Sequence, residues 1–101
     1  MSADHTSGEL TISVKGQGLH VDRIHVTSSK QRNFEAFRIY RHAGSASQSN
    51  VTRWKKARFY DAGRTRFAAA TWEINRNFRH GTWLCAIAKQ SSGNPCIRIH
   101  R

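Results

Sequence analysis

The stretch Thr82–Arg101, TWLCAIAKQSSGNPCIRIHR, decides the fold of this chain because it has the pattern of two strands joined by a turn. Residues 82–88 and 96–101 are short runs that contain β-branched and aromatic side chains, as strands do. The hexapeptide QSSGNP between them consists of residue types that form tight turns. We therefore predict a C-terminal β-hairpin. We expect one face to carry Trp83, Cys85 and Ile87 from the first arm and Ile97 and Ile99 from the second.

The hairpin carries one cysteine in each arm, Cys85 and Cys96. Residues directly opposite each other on antiparallel strands bring their Cα atoms within about 5.5 Å, a separation that a disulfide spans. The sequence therefore predicts a disulfide, which stabilises the fold by roughly 2–3 kcal/mol and persists only in an oxidising compartment. Two alternatives stay open. The cysteines could be buried reduced thiols, or they could join His80 and His100 in a metal site whose spacing matches no standard zinc motif.

The rest of the chain shows the alternation of strands. Apolar residues alternate with polar ones over 10–15, 19–26 and 34–41, and turn-forming residues separate most of these runs. Within 19–26 the apolar residues change from odd to even positions at Asp22 and Arg23, which predicts a β-bulge. No stretch predicts a helix convincingly. We therefore predict an all-β protein, a small antiparallel β-sandwich or partly open barrel with a C-terminal disulfide-closed hairpin.

Two stretches are ambiguous, and the domain limits depend on composition. Residues 54–60 alternate like a strand but also follow a candidate helix cap, and we favour a strand or an irregular edge. Residues 66–75 combine an alanine triplet with a strand-like TWEI run. A chain of 101 residues has the size of one domain. We expect a flexible N-terminal segment at residues 1–9 and a single β domain at residues 10–101.

The chain is strongly basic, with 17 Lys and Arg against 6 Asp and Glu and a formal charge of +11. Such a charge attracts nucleic acid, anionic lipid or an acidic protein. Its densest part interleaves cations with aromatic rings, a pattern that suits protein interfaces and nucleic acid alike. Two interpretations stay open: Trp54 and Phe59 are core residues beside a solvated charged face, or the stretch contacts a partner, and for the second we favour a protein over nucleic acid. The predicted contact residues are Arg53, Trp54, Lys55, Lys56, Arg58, Tyr60, Arg64 and Arg66.

The motifs of common enzymes are absent: the chain has no Gly-x-Ser-x-Gly, no P-loop and no HExxH. Six histidines still allow an alternative, a small basic toxin that binds or cleaves nucleic acid with His20, His25, His42 and Glu35 as acids and bases. A small protease inhibitor with residues 90–95 as its exposed loop is the second alternative. We expect a non-enzymatic binding protein without cofactor or metal. No apolar run approaches the roughly 18 residues of a membrane span.

Two parts of the chain resemble small secreted proteins of actinomycetes. The first is Gly18–Ile24, GLHVDRI, which is similar to an early strand of these proteins. The second is Asn75–Cys85, NRNFRHGTWLC, with Cys96–Ile99, where a turn leads into the closed hairpin. One type is the adaptor subunit of umbrella toxin particles, which joins a lectin-like subunit to the toxin's repeat stalk. The resemblance implies an exported β-sandwich, whose signal peptide is missing here, with residues 1–9 as an arm that docks into a partner.

Overall fold

A computed structural model describes residues 2–31, 34–42, 48–63 and 65–100, and strands make up most of these ranges. These four ranges contain no helix, and hence none that could cross a bilayer. The predicted all-β class is confirmed. The strands are β1 (Ser2–Ser7), β2 (Leu10–Gln17), β3 (His20–Ser28), β4 (Ala36–His42), β5 (Ser49–Asn50), β6 (Lys55–Lys56), β7 (Arg58–Ala62), β8 (Thr65–Asn77), β9 (Trp83–Ala88) and β10 (Cys96–Arg98).

Two antiparallel sheets pack face to face around one core. The first sheet has the order β1-β2-β3-β8-β7, and the second has the order β10-β9-β4-β5 with β6 also paired to β4. Fully buried side chains from both sheets meet between them, among them Ile12 and Ile24 from the first and Phe37, Ile39 and Leu84 from the second. Burial of each such side chain contributes roughly 1.5–3 kcal/mol. The molecule is therefore a small β-sandwich.

The predicted change of alternation at Asp22 and Arg23 is a β-bulge. The register between β3 and β8 shifts between Val21 and Arg23. The extra residue lets an odd-numbered and an even-numbered position face the same core, and Val21 and Ile24 are both buried. The bulge therefore keeps β3 on the core along its whole length.

The N-terminus differs from the flexible segment expected at residues 1–9. Ser2–Ser7 form β1, and each of its six residues is paired with a residue of β2. This strand lies at the edge of the first sheet and leaves most of its side chains exposed. Its stability comes from main-chain hydrogen bonds rather than from an apolar face, so hydrophobic periodicity does not indicate it.

Both ambiguous stretches are extended. β8 runs for 13 residues over Thr65–Asn77 and pairs with β3 and β7, so the alanine triplet lies in a sheet. The stretch 54–60 is divided between the two sheets. Lys55–Lys56 pair with β4 of the second sheet, and β7 pairs with β8 of the first. Ala57, at the crossover between them, is buried, and its N–H donates to the Glu35 carbonyl oxygen at 2.9 Å.

The C-terminal hairpin and its disulfide are confirmed. Cys85 lies opposite Cys96 in the β9–β10 pair, and their Cα atoms are 4.1 Å apart. The N–H of Ala86 donates to the Pro95 carbonyl at 3.0 Å, so the cysteines occupy the closer, non-hydrogen-bonded kind of pair. Both sulfurs are in this bond, which leaves neither reduced thiols nor thiolate ligands for a metal site with His80 and His100.

The faces of β9 are the reverse of those expected. Leu84 and Ala86 enter the core, and Ile97 lies opposite Leu84 on the same side. Trp83 lies opposite Arg98 and is only half-buried. Opposed residues of an antiparallel pair share a face. Because Cys85 is opposite Cys96, the odd positions of β9 cannot share a face with Ile97.

Candidate binding surface

The residues of the nucleic-acid-cleaving alternative do not meet in one site. His20 and His25 lie on β3 in the first sheet, roughly 15 Å apart at about 3.3 Å per residue. His42 lies on β4, where the alternate positions Phe37 and Ile39 face the core, so its side chain is on the outer face of the second sheet. The core separates it from β3. These side chains cannot act on one substrate atom.

Each of the two β3 histidines has a partner on the neighbouring strand. His20 Nδ1 lies 2.7 Å from Asn77 Oδ1, and His25 Nδ1 lies 2.6 Å from Thr71 Oγ1. Burial lowers the pKa of His25, and the nearby Arg23 cation lowers it further. The His25 imidazole is therefore neutral at pH 7 and serves as a cross-strand hydrogen-bonding group.

His42 belongs to a row of aromatic rings beside the disulfide. Its ring is stacked between Tyr40 and Trp83, with both pairs of ring centroids 6.3 Å apart. One His42 nitrogen and the sulfurs of Cys85 and Cys96 all lie within 4.8 Å of one another. Cysteine binds zinc as the thiolate, and these two sulfurs are joined to each other. The oxidised protein therefore has no metal ligands in this group apart from the imidazole.

Glu35 has a structural role. Its side chain is buried, with 1% of the residue exposed. Oε1 accepts the N–H of Ala36 at 2.9 Å and that of Gln90 at 3.0 Å, and Oε2 accepts the Ser91 hydroxyl at 2.6 Å. Ser91 Oγ is also 2.6 Å from Ser28 Oγ. The carboxylate thus fastens the loop after β9 to the start of β4.

Half of the predicted contact residues surround one cavity of about 210 Å³, which we call the basic cavity. Lys55 is held there because its ammonium donates to the Thr71 carbonyl oxygen and lies 5.8 Å from the Trp72 ring centroid. Like charges around a small volume raise its positive potential, which favours an anion. The cavity is lined by Lys55, Lys56, Arg58, Tyr60, Ala69, Ala70 and Thr71.

Trp54 lies in a neighbouring groove with two cations on its ring. The guanidinium carbon of Arg38 is 4.6 Å and the ammonium of Lys89 is 5.1 Å from the ring centroid. Each such contact contributes about 0.5–1 kcal/mol at an exposed site. Arg38 Nε is buried and has no acceptor among the described residues. The groove is lined by Arg38, Asn50, Val51, Thr52, Arg53 and Trp54.

Sequence reasoning missed Arg38 and Lys89, which lie far along the chain from residues 53–60. Arg38 is at an outward position of β4, and Lys89 follows β9, the strand paired with β4. Arg38 lies between the core positions Phe37 and Ile39 in the sequence, which indicates an outward-facing side chain. Neither Arg38 nor Lys89 could be assigned to this surface without the order of the strands in the sheet. We use the name basic surface for the cavity and the groove together, with Arg38, Arg53, Trp54, Lys55, Lys56, Arg58, Tyr60 and Lys89 as its members.

No family model, curated protein or solved structure matches this chain.

Arg66, another of the predicted contact residues, is not part of the basic surface. Arg66 Nε lies 3.5 Å from Asp61 Oδ1 in an exposed pair on the β7–β8 hairpin. Arg64 lies outside the described residues. The other ion pairs within the described ranges join His20 to Asp22 and Arg23 to Glu73, so none uses a cation of the basic surface. The positive charge of this surface is therefore not offset by pairing within the described chain.

Proposed function

We propose that this chain is a non-enzymatic, secreted binding module that acts as an adaptor by holding an acidic protein on its basic surface. The observation that carries the proposal is the basic cavity, where Lys55, Lys56 and Arg58 line one small volume together with Tyr60. Complementary charge speeds encounter and selects the partner. The aromatic residues beside these cations are of the kind that dominates protein interfaces.

The contacts of the rings support a protein partner rather than a nucleic acid. Proteins that bind single strands stack bases on open ring faces. Trp54 has Arg38 and Lys89 over its ring, and Tyr60 stacks on Phe67 with centroids 5.2 Å apart. The Trp54 ring thus holds the Arg38 and Lys89 cations in place, and the Tyr60 ring is engaged by Phe67. Fixed cations suit the carboxylates of a protein surface.

The disulfide supports the extracellular part of the proposal. A bond such as Cys85–Cys96 persists in an oxidising compartment and is rare in the cytosol of ordinary cells. The resemblance to secreted actinomycete proteins, including the umbrella toxin adaptor subunit, supports a role in a bacterial toxin or interbacterial competition assembly. In that role the chain would join two larger proteins.

The proposal is tested by affinity capture from culture filtrate of the source organism, treated with nuclease and kept non-reducing. The tagged full chain is compared with K56E/R58E and with a control of equal charge change, K15E/R79E, whose two cations are exposed and line neither the basic cavity nor the groove. We expect the wild type and the control to retain an acidic protein that K56E/R58E loses. Equal retention by the two variants, or no acidic protein on the wild type, would contradict the proposal.

A further inference from the structure

Phe34 is the most exposed of the large apolar side chains described, with 82% of its surface open to water. Its φ is 64°, in the left-handed region that bulky residues avoid and that glycine or asparagine adopts readily. Strain of the backbone disfavours this residue in the isolated chain, and the exposed ring gains nothing from folding. Neither feature is explained by packing within the described fold.

The backbone next to Phe34 is held firmly. The Glu35 carbonyl oxygen accepts the Ala57 N–H at 2.9 Å, and the buried Glu35 carboxylate accepts the N–H of Gln90 at 3.0 Å. The Ala36 carbonyl accepts the Lys89 N–H at 3.1 Å. These bonds tie the chain just after Phe34 to Ala57 at the crossover and to the loop after β9. Phe34 is therefore presented from a backbone that is fixed on its C-terminal side, which lowers the entropy cost of binding.

The same bonds place Phe34 beside the basic surface. Lys56 lies opposite Ala36 in the β4–β6 pair, and Lys89 is hydrogen-bonded through its backbone to Ala36. Two cations of that surface thus belong to neighbours of Ala36, the second residue after Phe34. An apolar ring beside a charged rim has the composition of a binding hot spot.

We propose that Phe34 is the anchor of the docking surface and inserts into an apolar pocket on the acidic partner protein. Carboxylates at the rim of that pocket meet Lys56 and Lys89. The inference depends on the proposed function and adds to it the shape and chemistry of the partner's site. One ring on this backbone fits a preformed pocket, whereas attachment to a lipid surface uses a broader apolar face. Binding would bury the ring, which offsets the cost of the strained backbone.

Three variants of Phe34 test the inference in the full chain. F34G removes both the ring and the strain, F34A removes the ring only, and F34L keeps most of the apolar surface. We expect F34G to raise the melting temperature by about 4 °C or more, since glycine adopts this backbone conformation without strain. In capture from culture filtrate, we expect F34G and F34A to bind the acidic protein about 30-fold more weakly. F34L should lose less than tenfold.

The outcomes separate this inference from the proposed function. An acidic protein retained equally by wild type and F34G, but lost by K56E/R58E, overturns the anchor and leaves the binding module standing. No acidic protein on the wild type overturns both. A lower melting temperature for F34G overturns the argument from strain. If the wild type binds vesicles of anionic phospholipid and F34G does not, the occupant is a membrane and the proposed occupant is wrong. If light scattering shows that the wild type is a dimer and F34G is a monomer, the occupant is a second copy, and the proposed occupant is again wrong.

Discussion

Replacement of Glu35 by alanine tests how much of the fold depends on one buried carboxylate. The variant leaves the N–H groups of Ala36 and Gln90 without their acceptor, and the Ser91 hydroxyl loses a hydrogen bond to a charged group but keeps Ser28 Oγ at 2.6 Å. Each buried donor left unpaired costs about 1–3 kcal/mol. Partial relaxation and water entry reduce the sum, so we expect E35A to lower the free energy of unfolding by about 3–5 kcal/mol. E35Q keeps one acceptor oxygen and should lose about half as much.

The assay is urea unfolding followed by tryptophan fluorescence under non-reducing conditions. With a slope of roughly 1.5 kcal/mol per molar urea, E35A lowers the midpoint by about 2–3 M. The matched control is E73A, which removes an exposed carboxylate that lies 2.8 Å from Arg23 Nε and should cost less than about 1 kcal/mol. A loss for E35A no larger than that of E73A would refute the role given to the buried carboxylate.

Three further predictions concern other parts of the sandwich. Replacement of Cys85 and Cys96 together by serine should lower the free energy of unfolding by about 2–3 kcal/mol; a melting temperature insensitive to a reductant in the wild type would contradict this. Because the fold lowers the pKa of His25, stability should fall as the pH drops through the unfolded value of about 6.5. H25N should show a shallower fall between pH 7 and 5 in chemical unfolding, and an unchanged pH profile would count against it. R38M removes a buried donor that lacks an acceptor but can keep contact with Trp54. It should leave the free energy of unfolding within about 1 kcal/mol of the wild type, and a larger loss would show that the Nε is bonded.

The parts of the fold that were predictable have local causes. The hairpin follows from turn residues between two short apolar runs, and the opposed cysteines follow from their places in its arms. The bulge at Asp22 and Arg23 follows from a change of phase that only an extra residue can accommodate. In each case the interacting residues are close in sequence or the pattern has a single geometric solution.

The missed features have causes that a single-sequence pattern does not contain. β9 is apolar on both faces, so alternation does not decide whether Leu84 or Cys85 enters the core. β1 is paired through its backbone and has a mostly polar sequence.

The candidate site was partly predictable, because only some of its residues are close together in the sequence. Lys55, Lys56 and Arg58 were expected as contact residues because they are neighbours in sequence. Arg38 and Lys89 reach the same surface only through sheet order, and the buried role of Glu35 depends on a partner 55 residues away.

The crossover at Ala57 has a mechanical consequence. Lys55 and Lys56 are paired with the second sheet and Arg58 with the first, yet all three line the basic cavity. A ligand that contacts all three side chains at once would bridge the two sheets and oppose their sliding or separation. Amide hydrogen exchange should then slow in both layers, far from the point of contact, because any opening that parts the sheets must first break the bridge.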